Sequence, residues 1–313
     1  MGRDFMILAD AHCDTITYAM DKRESLFNCS GHLNLKKLES AFDGCMQFMA
    51  VWIQKSEGAP MKKLAIDALN YFYEQKNLYA SAMRLILNKK DAEVGLTKQV
   101  GILLSLEGGE LLEGELENIS MYYEMGVRSI CLTWNGHNEL GDGVMVNNAC
   151  GLTEFGKEAI REMNSLGMIV DVSHASKHTF WDAVEFSTFP VIASHSNAFA
   201  VCPHIRNLDD AQLRAIGEKR GFAGINMYSD FIAEDGASEY WILKHIEHML
   251  RVAGEDCVGL GCDFDGIERT PEGYNSVSNL PKLYNRLENT YGVKLADKIF
   301  YKNLIRVVRT CLK

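Results

Sequence analysis

The sequence predicts an α/β protein built as a (β/α)8 TIM-type barrel with extra helices at the C-terminus. Three observations lead there. Eight short apolar runs alternate with longer helical patterns along the chain. Most of the runs are near-continuous in Val, Ile, Leu and Met, as strands covered on both faces of a parallel sheet are. Residues able to bind metal or move protons stand just past six of the eight runs, at the end of the strands where barrels of this class carry their active sites.

The strand candidates are Met6–Ala11, Cys45–Ile53, Val100–Leu106, Ser129–Thr133, Met168–Val172, Val191–Ser194, Gly221–Met227 and Val258–Cys262. Helical patterns cover Met61–Lys89, Leu116–Met125, Thr153–Ser165, Ser176–Glu185, Asp209–Lys219 and Ser238–Val252, with Asn279–Thr290 and Leu295–Leu312 closing the chain. Thr153 is a plain N-cap candidate, and Ser238 precedes Glu239 in a first turn that suits the helix dipole. Gly126, Gly167, Gly221 and Gly254 stand where C-caps belong. Tyr18–Ser30 shows no period and is expected as a loop over the barrel mouth, followed by a short helix in Leu33–Ala41. No linker, repeat or low-complexity tract breaks the pattern, so 1–313 reads as a single domain.

Composition narrows the function. The chain has 47% hydrophobic and 24% charged residues and a formal charge of −10, with no basic run, which argues against nucleic acid or an anionic membrane as partner. Met1-Gly2-Arg3-Asp4 leads straight into an apolar strand without signal-peptide character, and no stretch approaches the roughly 20 apolar residues of a membrane span. Nine cysteines without a C-x-x-C pair read as free thiols in a reducing cytoplasm.

The first strand ends in Asp10-Ala11-His12-Cys13-Asp14. Side chains two apart on a strand share a face, so His12 and Asp14 can reach one metal ion, while Cys13 points the other way and packs. By itself this pair proves little. The third strand, however, ends in Glu107-Gly108-Gly109, the fourth in Thr133-Trp134-Asn135-Gly136-His137, the fifth in Asp171-Val172-Ser173-His174, the sixth in Ser194-His195-Ser196-Asn197 and the eighth in Cys262-Asp263-Phe264-Asp265. His12, Asp14, Glu107, His174 and His195 make five ligands, too many for one open tetrahedral zinc and suited to two metals sharing a bridge. Glu107 is the natural bridge, having two oxygens, with Gly108 and Gly109 leaving room above it.

These motifs, together with Cys202-Pro203-His204-Ile205-Arg206 downstream of His195, resemble those of the membrane (renal-type) dipeptidase family, binuclear zinc peptidases related to the amidohydrolase barrels. They run in family order over nearly the whole chain. The resemblance implies that His12 and Asp14 hold one zinc, His174 and His195 the other, and Glu107 both. It also implies that Arg206 grips the substrate's terminal carboxylate and that Asp263 serves in catalysis near the free amine or the transferring proton. Family members often carry a histidine directly after the Leu-Thr pair of the fourth strand. Here that position is Trp134, and His137 is the candidate to supply the missing imidazole.

Other residues are expected to be bystanders. His245 and His248, three apart, read as a solvated helix face; His178 reads as support behind the ligands or as surface, His204 as support for Arg206, and Asp265 as a partner orienting the barrel mouth. The resulting expectation is a dipeptidase with two zinc ions per chain that hydrolyses free dipeptides by a metal-bridged hydroxide, with D-residues at the C-terminal position accepted by resemblance. A homodimer is open on the same ground. The alternatives are a related binuclear hydrolase acting on another amide, a lactone or a phosphoester, discriminated by Arg206, and a catalytically silent peptide-binding barrel, which retention of all five ligands argues against.

Overall fold

Parallel strands form a closed ring in the computed structural model, which describes residues 6–56, 58–93 and 98–313. The opening Met1–Asp4 therefore lies outside the described residues. The strands are β1 (Ile7–Asp10), β2 (Gly44–Trp52), β3 (Met83–Leu85), β4 (Val100–Glu107), β5 (Val127–Cys131), β6 (Ile169–Asp171), β7 (Ile192–Ala193), β8 (Phe222–Ile225) and β9 (Val258–Leu260). Pairing runs β2-β1-β9-β8-β7-β6-β5-β4, and β2 pairs β4 directly, which closes eight strands into a (β/α)8 barrel. The ninth, β3, lies outside the ring. It pairs the first half of β4, Val100–Ile102, before β5 takes over from Leu104 across a register shift.

Alternation along the strands sorts the core into two layers. Ala9, Met46, Phe48, Leu103, Ile169, Ile192 and Phe222 share one apolar cluster with Leu304, Val307 and Val308 of the C-terminal helix. Leu8, Met49, Ile102, Leu104, Ile130 and Val170 belong to the other, with the surrounding helices. The C-terminal helix covers the N-terminal end of the barrel, where Arg306 donates to the carbonyls of Arg220 (2.6 Å), Gly221 (2.9 Å) and Asp256 (2.8 Å) just ahead of β8 and β9. The opposite end, where the strands finish, is left for the site.

Three expected elements differ. The helix expected over Met61–Lys89 ends at Leu78, and β3 follows; no glycine or proline punctuates Tyr79–Arg84, so the sequence carried no stop signal. The last helix is divided into Val293–Asp297, a π-turn at Lys298–Lys302 and Asn303–Cys311. The loop expected at Tyr18–Ser30 is in part helical, since Thr15–Lys22 forms two turns. Thr153 caps its helix, accepting from Gly156 N at 2.9 Å, whereas Ser238 makes no side-chain cap. At Gly221 the left-handed position is taken by the preceding Arg220 instead. Among the described residues no helix is long and apolar enough to cross a membrane.

Candidate active site

Two strand-end aspartates build the scaffold of the site. Asp10 Oδ1, at the end of β1, accepts the backbone N–H of His12 (3.0 Å) and of Cys262 (3.1 Å), tying the turn after β1 to that after β9. Asp171 Oδ1, at the end of β6, accepts from Ser173 N (2.9 Å) and Ser194 N (3.0 Å), tying the turns that carry His174 and His195. Each carboxylate thus satisfies two buried backbone donors and fixes the neighbouring turns relative to each other. His174 (φ 64°) and Asp263 (φ 61°) adopt the left-handed conformation, uncommon for non-glycine residues and concentrated at functional positions.

The side chains converge around Glu107. Its Oε2 lies 3.4 Å from His12 Nε2, and its Oε1 lies 2.9 Å from His174 Nε2 and 3.7 Å from His195 Nε2. His12 Nε2 is also 3.4 Å from Asp14 Oδ2 and 3.7 Å from Asp263 Oδ1. Two ligands each about 2.0–2.1 Å from one tetrahedral ion stand about 3.3 Å apart, so these spacings suit shared metal ions. The tautomers agree. His174 Nδ1 faces Asn135 Oδ1 at 2.7 Å; an amide oxygen only accepts, so the ring proton sits on Nδ1 and Nε2 carries a lone pair. That lone pair points at Glu107 Oε1 and, at 2.8 Å, at His195 Nε2. One proton on His195 satisfies one of these contacts and leaves the other repulsive, a conflict that a cation between them removes. His12 Nε2 and Asp14 Oδ1 are buried without a hydrogen-bond partner, as ligands lacking their ion would be. The donor set of imidazoles and carboxylates fits a divalent metal.

Electrostatics follow the same geometry. Burial, with Arg206 adding, pushes the His174 imidazole down to about 4. Burial and the charge of His12 hold His195 well below its ordinary value. Burial works against protonation of His12, yet Glu107 and Asp14 outweigh it and hold this ring well above the usual range. Burial and Glu107 push Asp14 up to about 6, and Asp263 rises to about 7, through burial together with the charges of Asp14 and Glu107 that outweigh His12. Asn226 Nδ2 donates to Asp263 Oδ2 at 2.8 Å and orients it. Gly266 gives both acids their space, since a Cβ there would stand 2.1 Å from Asp14 Oδ2 and 2.8 Å from Asp263 Oδ1.

Two cavities meet at this cluster. The larger, about 800 Å³, is lined by Asp14, Glu107, His174 and Asp263 together with Trp52 and Trp134. The smaller, about 240 Å³, is lined by Val144, Val172, Ile205, Leu208 and Arg206, and again by His174.

The family model of membrane dipeptidases (peptidase family M19) matches residues 3–312. The chain belongs to the membrane dipeptidase family. A protein encoded in the pqqA 5′ region of Klebsiella pneumoniae is 37% identical over 243 residues, 74% of this chain and 89% of that protein. An uncharacterized dipeptidase of Schizosaccharomyces pombe is 39% identical over 192 residues, 59% of this chain and 46% of that protein. Among solved structures, a metallopeptidase of Rhodobacter sphaeroides, liganded with a phosphinate mimic of the dipeptide L-Ala-D-Ala, superposes with a TM-score of 0.90 at 25% identity, covering 98% of this chain and all of that one.

In this dipeptidase-family chain the structure brings together His12, Asp14, Glu107, His174, His195 and Asp263, with Arg206 behind His174. It does not bring His137 there. That ring is 65% exposed and is held by Asp142 Oδ1 at 2.7 Å, while Gly136 and Gly143 close a hairpin that turns it outward. Trp134 and Asn135, its neighbours, are the residues that face the site. The Trp134 ring stands 6.1 Å from His174 and 5.4 Å from Trp52. Gly108 and Gly109 serve differently from expectation: a Cβ on Gly108 would meet the Glu110 carboxylate at 2.6 Å, and one on Gly109 the side chain of Leu140 at 2.4 Å.

His245 is no solvated face. It is fully buried, accepts from Ala198 N on Nδ1 (3.1 Å) and donates from Nε2 to Ile232 O (2.9 Å), bracing the turn that follows His195. His248 pairs Asp210 instead. Asp265 anchors the mouth as expected, accepting from Thr15 Oγ1 (2.6 Å) and His32 N (2.5 Å). Asn135, Asn226, Asp10 and His245 escaped the sequence reading because only folding reveals which buried donor each one meets.

Proposed function

We propose that this chain is a dipeptidase with two zinc ions per chain, acting on free dipeptides that include those with a C-terminal D-residue. His12 and Asp14 would hold one ion, His174 and His195 the other, and Glu107 would bridge them with its two oxygens. When bound, such ions lower the pKa of water towards neutrality and polarise the scissile carbonyl. Asn135 and Ser194, at 2.7 Å from the outer nitrogens of His174 and His195, hold the rings in ligating orientation. Asp263, held by Asn226 at 2.8 Å, takes the proton released on attack and gives it to the departing nitrogen. His137, turned outward, has no part in this chemistry.

Arg206 carries the reading. Arg206 is 6% exposed, its Nε has no hydrogen-bond partner, and among the described residues it forms no ion pair, Asp263 attracting it only from beyond pairing distance. A buried cation without an anion is costly unless a ligand supplies one. Its cavity adjoins the Glu107 cluster through His174 alone, so a carboxylate bound there leaves space for one residue beyond the scissile bond. The phosphinate mimic of L-Ala-D-Ala bound to the Rhodobacter sphaeroides relative supports the same substrate class. The nine cysteines, all free, support a cytoplasmic location; a homodimer rests on the family resemblance, and a single domain over 1–313 on the unbroken alternation of strands and helices.

Hydrolysis of L,L and L,D dipeptides, compared with their C-terminal amides, tests this reading alongside metal content. About two zinc per chain, loss of activity on chelation and poor cleavage of the amides are expected. Equal cleavage of dipeptide and amide would overturn it.

A further inference from the structure

The two cavities differ in chemistry as well as size, and the position of Arg206 decides which end of the substrate each takes. With the terminal carboxylate on Arg206, the C-terminal side chain falls in the cavity of about 240 Å³, whose apolar wall is Val144, Val172, Ile205 and Leu208 and whose polar wall includes Ser176, Ser196 and Gln212. The N-terminal residue then extends past Glu107 into the cavity of about 800 Å³.

The wall of that larger cavity is acidic and aromatic. Asp21, Asp67 and Glu268 stand exposed at its rim, and Trp52, Trp134 and Tyr18 form its sides. No lysine or arginine contributes to it among the described residues. Cations near it include Lys63, exposed and paired with Asp67 at 2.6 Å, Lys22, 5.9 Å from the Tyr18 ring, and Arg269, next to Glu268 in the chain and paired with Asp230 at 2.5 Å. Trp134 is 37% exposed and stands 5.4 Å from Trp52 at an inclination of 51°, and both rings line the space between the cluster and the acids. Aromatic faces with carboxylates beyond them recognise a long aliphatic stem ending in a cation. A net charge of −10 draws cationic substrates towards such a mouth.

We propose, on the basis of the dipeptidase reading above, that the substrates are dipeptides with lysine or arginine at the N-terminal position and a small apolar residue at the C-terminal position. Trp134, standing where the family often has histidine, supplies an apolar wall for the stem, and Asp21 and Glu268 meet its charge.

The test is kcat/KM of the zinc-loaded full chain on Lys-Ala, norleucyl-Ala and Glu-Ala, at low and high ionic strength, for the native protein and the double variant Asp21→Asn with Glu268→Gln. Lysine and norleucine have nearly the same stem, so their ratio isolates the charge and cancels any change in the folded fraction. One cation–π contact with two exposed ion pairs gives an expected Lys-Ala preference of about tenfold, falling to about threefold in the double variant and shrinking with salt. Glu-Ala is expected to be the poorest of the three. Norleucyl-Ala cleaved as well as Lys-Ala by the native protein, or a preference unmoved by the double substitution, would overturn the proposal and leave the dipeptidase reading standing. Failure to cleave any of the three would overturn both.

Discussion

Replacing Arg206 by alanine separates substrate binding from support of the site. The guanidinium makes one long hydrogen bond, Nη2 to His195 O at 3.5 Å, and stands 5.5 Å from the Phe231 ring, while its Nε makes no hydrogen bond, so few folded-state contacts depend on it. What its loss removes is a partner for an incoming carboxylate. Two charge-assisted hydrogen bonds of about 1.5–3 kcal/mol each amount to about 3–6 kcal/mol, or a fall of about 10²- to 10⁴-fold in kcat/KM. The assay compares Ala-Ala with its C-terminal amide on both proteins. The amide lacks the carboxylate, so the loss should appear on the dipeptide and be nearly absent on the amide, leaving the two substrates about equal in the variant. Arg206→Lys should recover only part of the loss, because an ammonium cannot offer the planar fork. An equal loss on both substrates would refute the argument and make Arg206 a support for His195 and the turn around it.

Glu107→Gln should lower the metal content of purified protein below that of the native chain, read by elemental analysis, because an amide cannot bridge with two anionic oxygens. Asp263→Asn should retain metal yet lose about 10²- to 10⁴-fold in kcat, the usual scale of general acid–base catalysis. Asn135→Ala frees His174 Nδ1 and should weaken metal binding about 10- to 100-fold in a competition titration with a chelator. His245 gives a pH prediction: burial lowers its imidazole from 6.5 to about 4, so its stabilisation is present above pH 6.5 and is lost as the pH falls towards 4. The loss is about 3 kcal/mol by pH 4, and His245→Gln should flatten the acid limb of urea midpoints measured between pH 7 and 4.

The barrel and the inward acids and imidazoles were legible for one physical reason. A parallel strand buried on both faces is written in a run of apolar residues, and the polar residue that interrupts the run marks its end. Glu107, His174, His195 and Asp263 are such interruptions, and the structure brings them together with His12 and Asp14. The departures occur where orientation depends on distant partners. His137 sits two residues beyond Asn135 in a hairpin whose closure by Gly136 and Gly143 turns one inward and the other out. Three-residue β3 exists because β4 offers it an edge, which no local pattern records. His245 shares a helix with solvated neighbours, and only Ala198 and Ile232, contributed by other turns, show why it is buried.

Asp10 and Asp171 explain how one scaffold can keep its chemistry while its selectivity changes. Both accept two backbone N–H groups through a single oxygen, and both join turns that carry the proposed ligands. The ligand geometry is therefore set at the strand ends, beneath the loops. Trp134 and Glu268, in the loops above, and Asp21, in the short helix Thr15–Lys22, are the residues assigned to selectivity and make none of those hydrogen bonds. Substitutions among them can alter which dipeptide enters without loosening the cluster. A change at Asp10 or Asp171 instead leaves two buried donors unpaired, at about 1–3 kcal/mol each, and moves two ligand turns at once. Trp134 in the place of histidine is thus a change the scaffold absorbs: the ring sits 6.1 Å from His174, whose orientation is held by Asn135.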